Sequence, residues 1–162
     1  MWGIFERFRR AQIDATQPRS PQLLGSWGER LAADFLPTQG YRLVATNFRA
    51  PIGFSLNGRQ ITGEIDIVAY DESSTPFTLA FIEVKTRSND LLATPESAVD
   101  LRKQRQLVRT SNVYRRLMSV DQELLRYDVV SILSAPDRET ELQLFRNYFS
   151  EQQFKHSRWL KG

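Results

Sequence analysis

The apolar and polar positions fall into two periods, one helical and one extended, and they alternate along the chain. From Leu24 to Leu36, Leu24, Trp27, Gly28, Leu31, Ala32 and Phe35 recur at three- and four-residue intervals, which predicts a helix with one apolar face. Pro37 and Gly40 are expected to end it. Tyr41 to Phe48 reads as a strand, and Asn57-Gly58, flanked by Phe54, Leu56 and Ile61, is a strong two-residue hairpin signal. Gly63 to Tyr70 and Phe77 to Arg87 give two more strands across a short polar turn, Asp71 to Pro76. The three strands form a meander, and pairing across the first hairpin brings Arg49 near Asp66. Thr94-Pro95, a cap with proline at the first helical position, opens a long helix to about Val120. Ala98, Leu101, Val108, Tyr114 and Leu117 are its sheet-facing set. Leu124 to Leu133 is a fourth strand, and Leu142 to Tyr148 a fifth or an edge strand. Residues 1–22 and 151–162 read as tails around one domain, 23–150. The amino-terminal arm is loosely docked or disordered, and its Trp2, Ile4, Phe5 and Phe8 could form a short amphipathic turn.

Two strands break this pattern with acids. Glu64 and Asp66 alternate with Ile65 and Ile67, and Glu83 and Lys85 interrupt the apolar run from Phe77 to Val84. A strand apolar on both sides is central and covered on both faces, and a charge there is costly unless paired or bound to a cation. Residues two apart share a face. Glu83 therefore projects with Lys85 and Glu64 with Asp66, while Ile65, Ile67, Ile82 and Val84 face the other way. With the turn centred near Ser74, Asp66 stands roughly opposite Glu83. Directly opposed side chains lie about 4.5–5.5 Å apart at Cβ, where like charges repel. A divalent cation between them converts repulsion into binding, and Mg²⁺ suits a site of few carboxylates. Lys85 would orient a water or stabilise charge on a phosphoryl oxygen.

Bulk properties limit the field. The chain has 162 residues, 41% of them hydrophobic and 25% charged, enough for one domain with a real core. Lacking cysteine, it has no disulfide and no cysteine-based zinc site, which fits a reducing, cytoplasmic compartment. Its one histidine, His156, excludes multi-histidine metal sites and is assigned no role. No apolar run is long enough for a signal peptide or a membrane span. The net charge of +3 permits a nucleic-acid partner without identifying one. From Asp100 to Arg116 there are six basic residues and one acid. Arg102, Arg105, Arg109 and Arg116 fall on one side of the predicted helix, a stripe that suits a phosphate backbone and reads equally well as a solvated face. Lys103 lies off the apolar stripe and within reach of the acids. Glu29 flanks the first helix's apolar face, either solvated or leaning into a site at the sheet edge.

Taken in order, Glu29, Asp66 and Glu83-Val84-Lys85 resemble the E…D…E-x-K signature of the PD-(D/E)xK, restriction-endonuclease-like superfamily. More closely, the chain is similar to the YraN-like family of predicted endonucleases related to archaeal Holliday-junction resolvases. The matching pieces are Gly25-x-x-Gly28-Glu29, Gly40-Tyr41, Asn47-x-Arg49, Gly63 to Ile67, Phe81 to Lys85 with Arg87, Lys103, Tyr127 to Val130 and Arg146-Asn147-x-Phe149. The hairpin from Ala50 to Thr62 is longer than in similar proteins, and the tails differ. The resemblance implies an α/β (α+β) fold with a restriction-endonuclease-like core, in which helices flank a mixed sheet containing the antiparallel three-strand meander. It implies metal-assisted hydrolysis of DNA phosphodiester bonds, at branched or damaged DNA, with Asp66, Glu83 and the Val84 carbonyl on Mg²⁺ or Mn²⁺. Glu29 would bind or water-bridge the metal, and Lys85 would position the attacking water. Arg87, Arg102, Lys103, Arg105 and Arg109 would contact nucleic acid, and a homodimer would pair two sites for two strands. The rivals are a nucleic-acid-binding module that keeps the fold with little turnover, and a structural ion-pair network among the same charges.

Overall fold

The computed structural model describes residues 8–13, 18, 20–73, 75–88, 99–121, 123–135 and 139–154, with the backbone alone for 8–13, 21 and 22. The first helix, α1 (Pro21–Thr38), begins on a proline, which costs no hydrogen bond in a first turn. It buries Gly28, Ala32, Phe35 and Leu36 against the sheet, with Trp27 and Leu31 packed at the margin. Pro37 does not end it. The proline sits in the last turn, and the chain leaves through Gly40 at φ 88°.

Strands β2 (Tyr41–Phe54), β3 (Gln60–Asp71) and β4 (Thr78–Arg87) form the expected antiparallel meander. β2 runs on past Phe48, through Asn47 at φ 52° and two register shifts, so most of the Ala50–Thr62 stretch is strand rather than loop. The α2 helix (Leu101–Met118) crosses over to β5 (Leu125–Leu133), which pairs parallel with β4. β6 (Thr140–Phe149) returns antiparallel, and β1 (Phe8–Ile13) pairs with it. The result is one six-stranded sheet in the order β1-β6-β5-β4-β3-β2, with a helix on each face. The restriction-endonuclease-like, mixed α/β expectation is met.

Several boundaries differ from expectation. The stretch read as a tail supplies β1, whose sequence FRRAQI lacks clean alternation because an edge strand draws its stability from its partner's backbone. At the other end Glu151–Phe154 is a short 3-10 turn, and Phe154 packs its ring on Phe149 inside the core. On α2, Leu101 and Leu117 are exposed, and the buried face is Gln104, Leu107, Val108, Thr110, Ser111 and Tyr114. The small polar groups turn inward because they find partners: the Ser111 hydroxyl lies 2.7 Å from the Tyr127 hydroxyl. Asp100, not Thr94, caps the described helix by accepting from the Lys103 backbone N–H at 2.8 Å. Thr94, Pro95 and Ala98 lie outside the described residues, as do Trp2, Ile4, Phe5 and His156. Among the described residues, no helix is long and apolar enough to cross a membrane.

Candidate functional site

The β3–β4 ladder ends early. Its last pair is Ile67 with Ile82, although β3 reaches back to Gln60 and β4 forward to Arg87. Past that pair the two strands part, and the next residues toward the fork are Asp66 and Glu83, in the register expected from the turn. Asp66 Oδ2 bridges the opening by accepting the Val84 N–H at 2.7 Å. In a sheet the N–H and C=O of one residue point toward the same neighbour. The Val84 carbonyl therefore also opens into the fork, beside the Asp66 carboxylate. The alternation expected of β3 fails at one point: Ile65 packs with Val68 and Phe81 under α2, whereas Ile67, Ile82 and Val84 pack under α1. The break falls where β3 leaves the β4 ladder.

Glu83 is 2% exposed. Lys85 Nζ lies 2.9 Å from its Oε1, and Lys103 Nζ, reaching in from α2, lies 3.1 Å from its Oε2. Yet Oε2 is buried without a hydrogen bond, the Lys103 ammonium being close but not aligned as a donor. A buried acceptor left in that state is costly. Asp66 is 9% exposed, and its carboxyl is pushed up to about 7. Burial is the largest cause, followed by the charge of Glu83. The Val84 N–H and Lys103 oppose them, and Glu29 adds a smaller upward push, which places it within electrostatic reach of the fork. Glu29 is brought there by Gly28, which lies so close to β4 that an added Cβ would stand 1.8 Å from Thr86 Oγ1. Gly63 makes the equivalent approach between β3 and α2, where a Cβ would stand 1.9 Å from Thr110 Oγ1.

Other expected residues are placed differently. Arg49 pairs with Glu64 at 2.8 Å and not with Asp66, because the β2–β3 register sets 49 opposite 64. Arg102 is exposed, while Arg105 lies over the Phe154 ring at 5.6 Å and Arg109 donates to the Ile52 carbonyl. Arg87 is half-buried at the end of β4. The basic stripe is thus thinner than the spacing suggested, two of its members being engaged by the protein itself. Among the described residues no three of His, Cys, Asp and Glu cluster as a metal site, so the donors in the fork are two carboxylates and one carbonyl. All are hard oxygens, one of them an acceptor without a donor, which is the ligand chemistry of Mg²⁺ and Mn²⁺.

The family model described as uncharacterised protein family UPF0102 matches residues 28–132, which include every acid of the fork. The chain belongs to the UPF0102 family. It is 41% identical to a UPF0102 protein of Solibacter usitatus over 76% of this chain and 85% of that one. It is 36% identical to UPF0102 protein STH1475 of Symbiobacterium thermophilum over 78% and 95%, and 40% identical to a UPF0102 protein of Paenarthrobacter aurescens over 79% and 94%. The resemblance to YraN-like proteins is borne out at the level of family. The crystal structure of SSO0001 overlies 83% of this chain and 56% of its own at 16% identity and a TM-score of 0.33, a likeness too slight to carry an argument.

A second buried cluster in this UPF0102 chain was not assembled by sequence reasoning, although Tyr41, Asp128 and Arg146 stood among the quoted motifs. Tyr41 OH donates to Asp128 Oδ2 at 2.7 Å, and Arg126 donates to Asp128 at 2.8 Å and to Asp71 at 2.6 Å. Arg146 lies 3.3 Å from Asp71 and donates to the Gln39 carbonyl at 2.8 Å. Asp128 Oδ1 also accepts the Asn147 N–H. Burial raises the Asp71 carboxyl, but hydrogen bonds from Ser73 and Arg126 outweigh it and hold the group below its usual value. The signal was present: an aspartate in an apolar strand demands partners, and although Arg126 is two residues away, Tyr41 lies 87 residues off.

Proposed function

We propose that this chain is a metal-dependent nuclease that hydrolyses DNA phosphodiester bonds at the fork between β3 and β4. The observation that carries the reading is the convergence of Asp66 and Glu83 in a buried opening where Glu83 Oε2 has no hydrogen-bond donor. Asp66, Glu83 and the Val84 carbonyl would hold Mg²⁺ or Mn²⁺, which when bound neutralises the acid pair, polarises a phosphoryl oxygen and lowers the pKa of a bound water. Glu29 completes the charge around the opening from the α1 side. Lys85, 2.9 Å from Glu83, is held where its ammonium can orient a water or meet charge on a phosphoryl oxygen. Lys103, held beside Glu83 from α2, offsets the local negative charge that would repel a phosphate. A pair of copies would cut the two strands of one duplex.

One observation favours a second reading, a DNA-binding module that keeps the fold with little turnover: two lysines already neutralise Glu83. Cleavage assays decide between the two. Purified protein is given Mg²⁺ or Mn²⁺ with single-stranded, duplex and four-way DNA, alongside Asp66→Ala. The nuclease reading expects cutting that needs the metal and falls at least 100-fold in the variant. Binding without cutting supports the module, and equal cutting by Asp66→Ala removes the fork from the chemistry.

A further inference from the structure

The hairpin between β2 and β3 ends in two large apolar side chains with no cover. Phe54 is 71% exposed and Leu56 fully so. The turn that carries them is closed by hydrogen bonds. The Ser55 N–H donates to the Arg59 carbonyl at 2.7 Å and the Gly58 N–H to the Ser55 carbonyl at 2.9 Å. Gly58 sits at φ 73°, a backbone region open to glycine and hard for other residues. Below the tip Ile52 is buried, and the Arg109 guanidinium bonds its carbonyl from α2. From 50 to 62 the chain carries one charge, the exposed Arg59, and no acid. An apolar tip is costly in water, and anchoring it firmly at the base keeps it presented rather than folded back.

The hairpin also stands at a defined place. It extends β3 beyond its amino-terminal end, the side on which β3 and β4 have parted. Phe54 pairs with Gln60, six residues along β3 from Asp66, or about 20 Å at strand rise. One nucleic-acid strand rises about 3.4 Å per residue, so that span equals about six nucleotides. Flat aromatic and branched apolar groups are what unstacked bases bind and what wedges base steps apart. The exposed Arg59, in a stretch of sequence that holds no acid, adds attraction for the flanking phosphates.

Building on the nuclease reading, we propose that the hairpin tip, through Phe54 and Leu56, holds an unpaired base of the nucleic acid about six nucleotides from the phosphate at the fork. The enzyme then prefers DNA in which paired and unpaired segments meet. The test uses the full chain and the variant F54A/L56A, both positions being exposed, with thermal unfolding as a check that the fold is kept. Binding is followed by anisotropy in EDTA, so that no cutting occurs, on a fully paired duplex and on a duplex of the same sequence with one splayed end. Cut positions are mapped separately with Mn²⁺.

The expected result is tighter binding of the splayed DNA by the wild type. The variant should lose about tenfold on the splayed DNA, one base–aromatic stack, and less than twofold on the duplex. Cuts should fall about six nucleotides from the unpaired base. Equal losses on both DNAs, or no loss on either, would overturn the proposal. The two ideas fail separately. If nothing is cut but the binding contrast holds, the nuclease reading falls and the tip keeps its role. If cutting occurs without the contrast, the tip loses its role and the fork stands.

Discussion

At the scale of the residue, Asp66 and Glu83 are the strained members of the molecule. A carboxylate ordinarily loses its proton near pH 4, but Asp66 keeps it to about 7 because burial and the neighbouring Glu83 both disfavour its charge. The sign of the consequence is the reverse of the usual carboxylate case. Between about pH 4 and 7 the native state holds a proton that the unfolded chain has released, so this group's contribution to stability is full below pH 4 and is lost as the pH rises through 7. Asp66→Asn keeps an acceptor for the Val84 N–H and removes the titration. Its melting temperature at pH 8 should exceed that of the wild type by a few degrees, and the difference should vanish near pH 4. A wild-type profile no steeper than the variant's would show that Asp66 is not held protonated.

At the scale of the element, the fork depends on how closely the two helices approach the sheet. Gly28 and Gly63 allow that approach, and each touches a threonine hydroxyl. Gly28→Ala should force Thr86 to turn or α1 to lift, at a cost of about 1–3 kcal/mol, and should displace Glu29 from the fork. Thr86→Ala added to it should restore most of the stability, because the clash is between those two side chains. Chemical denaturation of the four proteins measures the coupling, and additive effects would mean that α1 does not rest on this contact. The same scale shows what the sequence could reveal. α1, the meander and the Asp66–Glu83 register were legible because each rests on local periodicity and one short turn. β1 and Phe154 were not, since β1 is ordered by β6, far off in the chain, and Phe154 by its place in the core under Arg105 as well as by Phe149. Arg105 and Arg109 looked like free cations because spacing along a helix does not reveal that one will find an aromatic ring and the other a carbonyl.

At the scale of the whole molecule, the two buried charge clusters behave oppositely. The cluster of Tyr41, Asp71, Arg126, Asp128 and Arg146 ties β2, β3, β5 and β6 together and satisfies its carboxylates with several donors each. The fork leaves a carboxylate oxygen without a donor. Breaking the first should destabilise the fold, and altering the second should change metal binding with little loss of stability. Asp128→Ala removes the acceptor shared by Tyr41, Arg126 and the Asn147 N–H, so it should destabilise by about 3–5 kcal/mol in urea titrations, while Glu83→Gln should cost far less. If the costs ranked the other way, the division of labour would be wrong. The edge strand β2 carries two register shifts and Pro51, which discourage pairing with another sheet, so a second copy would meet other surfaces. The most direct test of the central claim is a calorimetric titration of the purified chain with Mn²⁺ at pH 8, set beside Glu83→Gln and Asp66→Asn. One ion per chain, bound at least tenfold more weakly by either variant, is the predicted result; no binding, or equal binding by all three proteins, would contradict it.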